Sequence, residues 1–190
     1  PDIRDSIAQA ISQHLRNQKD DGIRSLYIYS ALLLSVATQS ASYATTATPE
    51  KFWAKWTEQF ADSEEENAHK QALYNLVNIK HINNKLFAER FHYVRQYFEQ
   101  VYLAPITPSV QDEYLYSLCR PERLLELMYR YTLYDDGIKK IARYQQYFAV
   151  CKTISRIRNI EGSKRHGGVI WHTQGSGKSL TMVLLAQAIV

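Results

Sequence analysis

Residues 167–182 read GGVIWHTQGSGKSLTM, and this stretch decides the fold of the C-terminal part of the chain. Gly167–Trp171 is a short apolar run opened by glycines, which predicts a buried strand. The glycine-rich loop His172–Ser179 follows it. Leu180–Val190 is almost wholly apolar and rich in helix-forming residues, which predicts a helix. The order of strand, glycine-rich loop and helix is typical of a phosphate-binding loop.

The residues of this loop suit a polyphosphate. Gly175 and Gly177 allow the backbone to curl, so that several N–H groups can surround phosphate oxygens. Lys178 is expected to reach the β- and γ-phosphates, and the Ser179 hydroxyl is expected to ligate Mg²⁺. ATP and Mg²⁺ are therefore the predicted cofactors. The predicted nucleotide-binding residues of the loop are Thr173, Gln174, Gly175, Ser176, Gly177, Lys178 and Ser179.

The loop departs from the general pattern at one position, because His172 stands where the consensus has a glycine. The alternative interpretation is a flexible Gly-Ser linker. A linker is not expected between a buried strand and a buried helix, so the flanking segments favour the nucleotide-binding loop.

Charge and glycine content change near residue 137. Residues 137–190 hold nine Lys or Arg and one acid, Glu161, for a net charge of +8; residues 1–136 hold fourteen Lys or Arg and eighteen acids, for −4. Six of the seven glycines lie in residues 137–190. This composition boundary predicts two different kinds of structure.

The sequence before the glycine-rich loop predicts helices and strands. Helical periodicity predicts a helix at 6–18, and the capping residues Thr48-Pro49-Glu50 predict a helix that runs to Phe60. A capping box at 63–66 predicts a helical segment that continues to 103, with a break at Asn83-Asn84. Ser25–Ala37 predicts a strand paired with Ser42–Thr46. Further helices are predicted from Pro121 to about Leu133, ended by Asp135-Asp136-Gly137, and from Ile138 to about Arg158.

Several classes are excluded by composition. An aromatic content of 12% argues against a disordered chain, and no apolar run approaches the ~18 residues of a membrane span, so no membrane partner is predicted. Two cysteines, Cys119 and Cys151, are too few for a disulfide scaffold or a zinc framework and fit a reducing compartment. His69, His81 and His92 recur at spacings that do not match a metal site.

The segment Gly167–Met182 closely resembles the restriction and translocation (R) subunit of type I restriction enzymes, including its histidine at 172. Pro121–Leu127 resembles the start of that family's motor region, and Ile141–Val150 resembles its segment ahead of the phosphate-binding loop. Ala10–Gln18 resembles the Gln-x-x-x-Tyr helix of the family's nuclease domain, with Asn17 at the tyrosine position. Leu26–Tyr29 resembles the end of that domain.

The resemblance implies roles for residues that the sequence alone leaves undecided. By similarity to superfamily-two helicase motors, Gln146 is expected to read the adenine edge, with Arg143 supporting the site; an exposed helical glutamine is the alternative. Gln13 is a candidate support residue for DNA cleavage, and a structural polar residue is the alternative. The basic residues Lys152, Arg156, Arg158, Lys164, Arg165 and His166 could contact DNA phosphates, although a solvated helix end is the more common arrangement.

The fold class expected is mixed α/β and predominantly helical, with a few strands near the N-terminus, a helical middle and the first strand, loop and helix of a truncated RecA-like motor. The expected domains are 1–61, the C-terminal remnant of a nuclease; 62–136, a mainly helical connector; and 137–190, the start of the motor.

The resemblance implies a fragment of an ATP-dependent site-specific deoxyribonuclease of the prokaryotic cytoplasm. Its implied partners are double-stranded DNA and the modification and specificity subunits. The nuclease's metal-binding acids are expected before Pro1. Only eleven residues follow Ser179, so the acid that completes ATP hydrolysis is also expected elsewhere. The chain alone is expected to bind nucleotide weakly or not at all and to be inactive. The alternatives are a fragment of another P-loop DNA helicase, and a helical interaction module with a vestigial loop.

Overall fold

The computed structural model describes residues 6–79, 87, 91–101, 103–161, 164–165 and 167–189. Within them the fold is mixed α/β and predominantly helical, as predicted, and the strands form three separate two-stranded antiparallel sheets. None of the described helices is long and apolar enough to cross a membrane.

The N-terminal segment packs a helix on a hairpin. Helix α1 (Ser6–Asn17) agrees with the predicted helix, and β1 (Leu33–Ala37) pairs antiparallel with β2 (Ser40–Ala44). Helix α1 is held against β1 by the ring of His14, whose Nε2 lies 3.1 Å from the Leu34 carbonyl oxygen. The predicted strand Ser25–Ala37 is wrong in its first half, because α2 (Arg24–Ile28) forms there directly after a turn.

The helix predicted from Pro49 to Phe60 is also wrong. One 3₁₀ turn, Glu50–Phe52, forms, and the backbone is extended from Trp53 onward. The cause is a tertiary contact, since Ala54 exchanges two backbone hydrogen bonds with Tyr43 at 2.8 and 3.0 Å and so joins the edge of the β1–β2 hairpin.

The middle of the chain is helical. It contains α3 (Ser63–Val77), a 3₁₀ turn (His92–Val94), α4 (Arg95–Val101), α5 (Val110–Cys119) and α6 (Pro121–Arg130). The predicted break at Asn83-Asn84, and His81, lie outside the described residues. Helix α5 was not predicted, although Ser109 and Asp112 form its reciprocal capping box.

The Asp135-Asp136-Gly137 segment is a hairpin turn and not the end of a helix. Strands β3 (Thr132–Asp135) and β4 (Ile138–Ile141) pair antiparallel on either side of it. Asp136 and Gly137 have φ angles of 51° and 75°, which suit a two-residue hairpin loop of type I′. The predicted helix from Ile138 therefore begins later, as α7 (Tyr144–Arg158).

The C-terminal segment carries the glycine-rich loop. After the short strands β5 (Ile160–Glu161) and β6 (Lys164–Arg165), helix α8 (Lys178–Ile189) follows the loop, as predicted. The predicted strand Gly167–Trp171 does not form, because no described segment pairs with it; the side chains of Val169 and Trp171 are 91% and 87% exposed.

One core cluster joins the β1–β2 hairpin to the later helices. Its aromatic centre is contributed by β2, the extended segment after it, and α7, and helices α5, α6 and α8 close it. The buried members are Ala41, Tyr43, Trp56, Tyr114, Leu118, Leu127, Tyr131, Ala142, Tyr147, Phe148, Val150 and Leu184. This shared core brings α7 against α8, and therefore against the loop that precedes α8.

Candidate functional site

The glycine-rich loop is curled by two left-handed glycines. Gly175 and Gly177 have φ angles of 79° and 82°, a conformation that side chains on L-residues disfavour. The Ser176 backbone N–H donates to the Thr173 carbonyl oxygen at 3.3 Å, and the Ser176 hydroxyl donates to the same oxygen at 2.7 Å. The loop is therefore a compact turn that leads directly into α8.

The start of α8 leaves donors free at the loop. The first intrahelical bond runs from the Thr181 N–H to the Gly177 carbonyl oxygen at 3.1 Å. The N–H groups of the first helical residues, Lys178 to Leu180, have no acceptor one turn earlier in the helix. These donors and the positive end of the helix dipole favour an anion at this position.

The polar side chains predicted for the loop are accessible. Thr173, Gln174, Lys178 and Ser179 are exposed, and Ser176 is half-buried. Among the described residues, no acceptor or acid pairs with the Lys178 ammonium group. The donor set of backbone N–H groups, a free lysine and a hydroxyl therefore fits a phosphate chain with a hard cation.

Gln146 is brought to the loop from the first turn of α7. Its Nε2 donates to the carbonyl oxygens of Gly177 at 3.2 Å and Ser176 at 3.5 Å. Its Oε1 accepts from the Arg143 backbone N–H at 2.9 Å. The side chain is 2% exposed, so it is a buried link between α7 and the loop. The alternative of an exposed helical glutamine is excluded.

The two glycines differ in what surrounds them. A Cβ at Gly177 would lie 2.5 Å from Gln146 Nε2, so the end of the Gln146 side chain would have to move, whereas a Cβ at Gly175 would meet nothing within 4 Å. The φ angle therefore favours glycine at both positions, and a side chain at residue 177 would also displace the Gln146 amide.

A cavity of about 290 Å³ adjoins the loop. The loop residues 175–177 and Gln146 form one wall, and Phe52 and Thr48 lie on another. Its cations are Lys139, Lys140 and Arg143. Lys140 pairs with Asp135, and Lys139 donates to the Ser30 carbonyl oxygen at 3.0 Å. The exposed Arg143 guanidinium has no such partner within the described part of the chain.

The β3–β4 hairpin that supplies the two lysines was missed by the sequence analysis. The Asp-Gly pair at 136–137 was the signal that could have placed Lys139 and Lys140 on a strand beside the loop.

A larger cavity of about 780 Å³ lies on the other side of the loop, between α7 and residues 167–173. Lys152 and Arg156 line it, and the Arg156 Nε–H donates to the Gly167 carbonyl oxygen at 2.7 Å. Neither cavity is lined by an aspartate or a glutamate among the described residues. The site thus presents basic and neutral groups, which suit an anionic ligand.

Gln13 is not part of this arrangement. It is exposed on α1, and its side chain makes no hydrogen bond to any described residue. Within the described ranges, no three His, Cys, Asp or Glu side chains gather as metal ligands. The residue after Gln13, His14, is half-buried against Tyr27 and Trp53, and Ile11 is the buried residue of this helix.

Comparison with known proteins supports the resemblance stated above. The family model described as SWI2/SNF2 ATPase matches residues 145–190. A protein of Methanocaldococcus jannaschii, named as the endonuclease subunit of the type I restriction enzyme MjaVIIP, is 41% identical over 86 residues, which cover 40% of this chain and 8% of that protein.

A second relative is the endonuclease subunit of the type I restriction enzyme HindI from Haemophilus influenzae. It is 39% identical over 79 residues, which cover 38% of this chain and 8% of that protein. The chain thus spans a small part of the length of the curated relatives it matches. No solved structure matches it. The predicted similarity to type I restriction enzyme endonuclease subunits is confirmed.

Proposed function

We propose that this chain binds ATP with Mg²⁺ through residues 173–179, as part of the motor of a type I restriction enzyme endonuclease subunit. The observation that carries the proposal is the pair of left-handed glycines, Gly175 and Gly177, placed immediately before α8. They leave the helix N-terminus and the unpaired Lys178 facing solvent together, which is the arrangement a phosphate chain requires.

Each residue of the loop has a distinct task in this proposal. The backbone N–H groups of Gly175 and of residues 177–179 hold phosphate oxygens, and Lys178 neutralises the terminal phosphates. The Ser179 hydroxyl is the protein ligand for Mg²⁺, which screens the phosphate charge. Thr173 and Gln174 connect the preceding segment, residues 167–171, to the glycines of the loop.

Gln146 and Arg143 complete the site on the α7 side. The two amide hydrogens of Gln146 are used by the loop carbonyls, but its Oε1 keeps one lone pair beyond the bond from Arg143 N–H. That lone pair can accept a hydrogen bond from an adenine amino group. The exposed Arg143 side chain supplies positive charge to the cavity beside the loop.

The proposal for the whole protein is supported by its relatives, which are named as endonuclease subunits of type I restriction enzymes. We infer that ATP hydrolysis drives translocation of double-stranded DNA and that endonucleolytic cleavage follows. Modification and specificity subunits are the implied partners, in a prokaryotic cytoplasm. Residues 1–61 belong to the nuclease, 62–136 to a connector and 137–190 to the motor; the support for the last is the ATPase family match at 145–190.

The isolated 190 residues are proposed to bind nucleotide weakly and not to hydrolyse it. Phosphoryl transfer requires an acid that holds Mg²⁺ and a group that positions water. No aspartate or glutamate among the described residues lines either cavity beside the loop, so the acid requirement is not met there.

The binding proposal is tested with a fluorescent ATP analogue and Mg²⁺, titrated into the 190-residue chain and followed by anisotropy. Saturable binding that Lys178→Ala weakens at least about tenfold is expected, because one charge-assisted phosphate contact is lost. Lys70→Ala is the control, since Lys70 is an exposed lysine on α3 that pairs with Glu66. Equal binding by parent and Lys178→Ala, or no binding by the parent, contradicts the proposal.

Hydrolysis is measured in the same samples as phosphate release. The chain is expected to release none above the background of the Lys178→Ala variant. Turnover by the parent that Lys178→Ala removes would show that the inactivity part of the proposal is wrong while leaving nucleotide binding intact.

A further inference from the structure

A buried ion pair lies behind the nucleotide loop without touching it. Glu58 and Arg123 have side chains that are 5% and 7% exposed. Arg123 donates two hydrogen bonds to the carboxylate, from Nη2 to Oε1 at 2.6 Å and from Nη1 to Oε2 at 3.2 Å. The Trp56 indole N–H donates to Oε2 at 2.7 Å. The carboxylate is therefore fixed by donors on both oxygens.

Arg123 is enclosed by aromatic rings from two segments. Its guanidinium carbon lies 5.1 Å from the centre of the Trp56 ring, and 4.5 and 5.5 Å from those of Tyr147 and Phe148. Tyr147 and Phe148 belong to the start of α7. The Tyr147 hydroxyl also donates to Glu126 Oε2 on α6 at 2.5 Å. Helix α6 thus holds the first residues of α7 by charge, ring stacking and a hydrogen bond.

The same first turn of α7 carries Gln146. Consecutive residues of an α-helix project about 100° apart, so Gln146 and Tyr147 leave the helix in different directions. Tyr147 faces Arg123, and Gln146 reaches the carbonyl oxygens of Ser176 and Gly177. A rotation of this turn would therefore move both contacts together.

Stability alone does not account for a buried ion pair, because apolar residues of similar volume often stabilise a core equally well or better. A bidentate guanidinium–carboxylate pair supplies defined geometry instead. We infer that the Glu58–Arg123 pair positions the first turn of α7, and through it Gln146, against the nucleotide loop. Arg123 is then a positioning residue for the nucleotide site, and this inference rests on the proposed function.

The test removes both charges together and measures where Gln146 sits. Glu58→Gln with Arg123→Met keeps an acceptor for the Trp56 N–H and similar side-chain volumes. The readout is hydrogen exchange of the Arg143 backbone amide, followed by NMR without nucleotide, because that amide donates to Gln146 Oε1. The matched control is Glu66→Gln with Lys70→Met, which removes an exposed ion pair on α3.

The double variant is expected to unfold at a denaturant concentration close to that of the parent. Its Arg143 amide is expected to exchange about tenfold faster than in the parent, because a tenfold change corresponds to the loss of one hydrogen bond. Affinity for the fluorescent ATP analogue is expected to fall by a similar factor. Arg123→Lys, which keeps the charge but lacks the fork, serves as the second variant if the double variant does not fold, and the same faster exchange is expected.

A folded variant whose Arg143 amide exchanges at the parent rate would overturn the inference and leave the pair as core packing only. If the parent binds no nucleotide, the proposed function fails, but the exchange measurement still decides whether the ion pair positions Gln146. The two failures are therefore distinguishable.

Discussion

Gln146 donates a hydrogen bond to the carbonyl oxygen of Gly177 at 3.2 Å, across 31 residues of sequence. Because the Gln146 side chain is buried, this bond links the glycine-rich loop to the start of α7. The loop conformation therefore depends on α7 as well as on its own glycines.

Replacing Gly177 by alanine is expected to destabilise the protein more than replacing Gly175. Both changes place a side chain at a left-handed φ, which costs about 1–2 kcal/mol. Gly177→Ala also displaces Gln146 Nε2 from the carbonyl oxygens of Ser176 and Gly177, so a further loss of about 1 kcal/mol is expected. Denaturant unfolding of the two variants measures the difference.

The origin of that difference can be isolated with a second substitution. Gln146→Ser removes the atom that a Cβ at residue 177 would meet. In this background Gly177→Ala and Gly175→Ala are expected to cost about the same. A persistent excess cost at Gly177 would mean that Gln146 is not the obstacle.

Tyr43→Phe is expected to lower the free energy of unfolding by about 1–3 kcal/mol. The Tyr43 hydroxyl donates to the Ala142 carbonyl oxygen at 2.8 Å between two buried residues, and the variant leaves that oxygen unpaired. Burial raises the pKa of Tyr43, so its hydroxyl stays protonated and keeps donating. Tyr29→Phe, at a side chain that is 88% exposed, is the control and is expected to change little. Equal effects of the two changes would contradict the proposed role of this bond.

The elements that were predicted correctly have local causes. Helix α6 begins at Pro121, which suits the first helical position, and α8 follows directly from the loop motif. The segment 49–60 carries equally plausible helix signals, but it is extended because Ala54 pairs with Tyr43 and Trp56 enters the core. These contact partners lie outside the segment in sequence, so local sequence patterns do not indicate them.

The same distinction applies to the candidate site. The loop 173–179 is a contiguous motif, so its residues could be named from sequence. Gln146 was named only through a family resemblance, since nothing in its own helix distinguishes it. Glu58 and Arg123 could not be paired at all, because 65 residues separate them and only the folded core brings them together.

Protein stability is expected to fall as the pH drops below about 6.5, and His69 contributes to this fall. Burial lowers the pKa of His69 from its ordinary value of 6.5, and the nearby Glu58 carboxylate offsets this only in part. The folded state therefore binds fewer protons than the unfolded state between the folded pKa and 6.5, and stability is lost as the pH falls through that interval.

His69→Phe keeps a ring between Phe60 and Tyr116 and removes the titration. The unfolding temperature is measured at pH 7.5 and at pH 5.5, and the drop between the two is expected to be smaller for the variant than for the parent. Identical differences for the two proteins would exclude a contribution from His69.

A second loss of stability is expected at lower pH, from Glu58. Burial raises the pKa of this carboxyl, but the hydrogen bonds from Arg123 and Trp56 and the positive charges of Arg123 and Arg120 outweigh it, so the pKa lies below 4.5. The folded-state pKa is depressed, so the pair stabilises the protein above pH 4.5, and this stabilisation disappears as the pH falls through the folded pKa.

The variant that combines Glu58→Gln with Arg123→Met has no ion pair to lose at low pH. Its free energy of unfolding is therefore expected to fall less steeply than that of the parent between pH 4.5 and 3. The exposed-pair control, Glu66→Gln with Lys70→Met, is expected to follow the parent closely, because exposed pairs contribute little. Urea unfolding at fixed pH steps follows both effects, because the loss from His69 begins near pH 6.5 and the loss from Glu58 near pH 4.5. If the Glu58 variant lost stability as steeply as the parent below pH 4.5, the acid sensitivity of this core would have to arise from carboxylates other than Glu58.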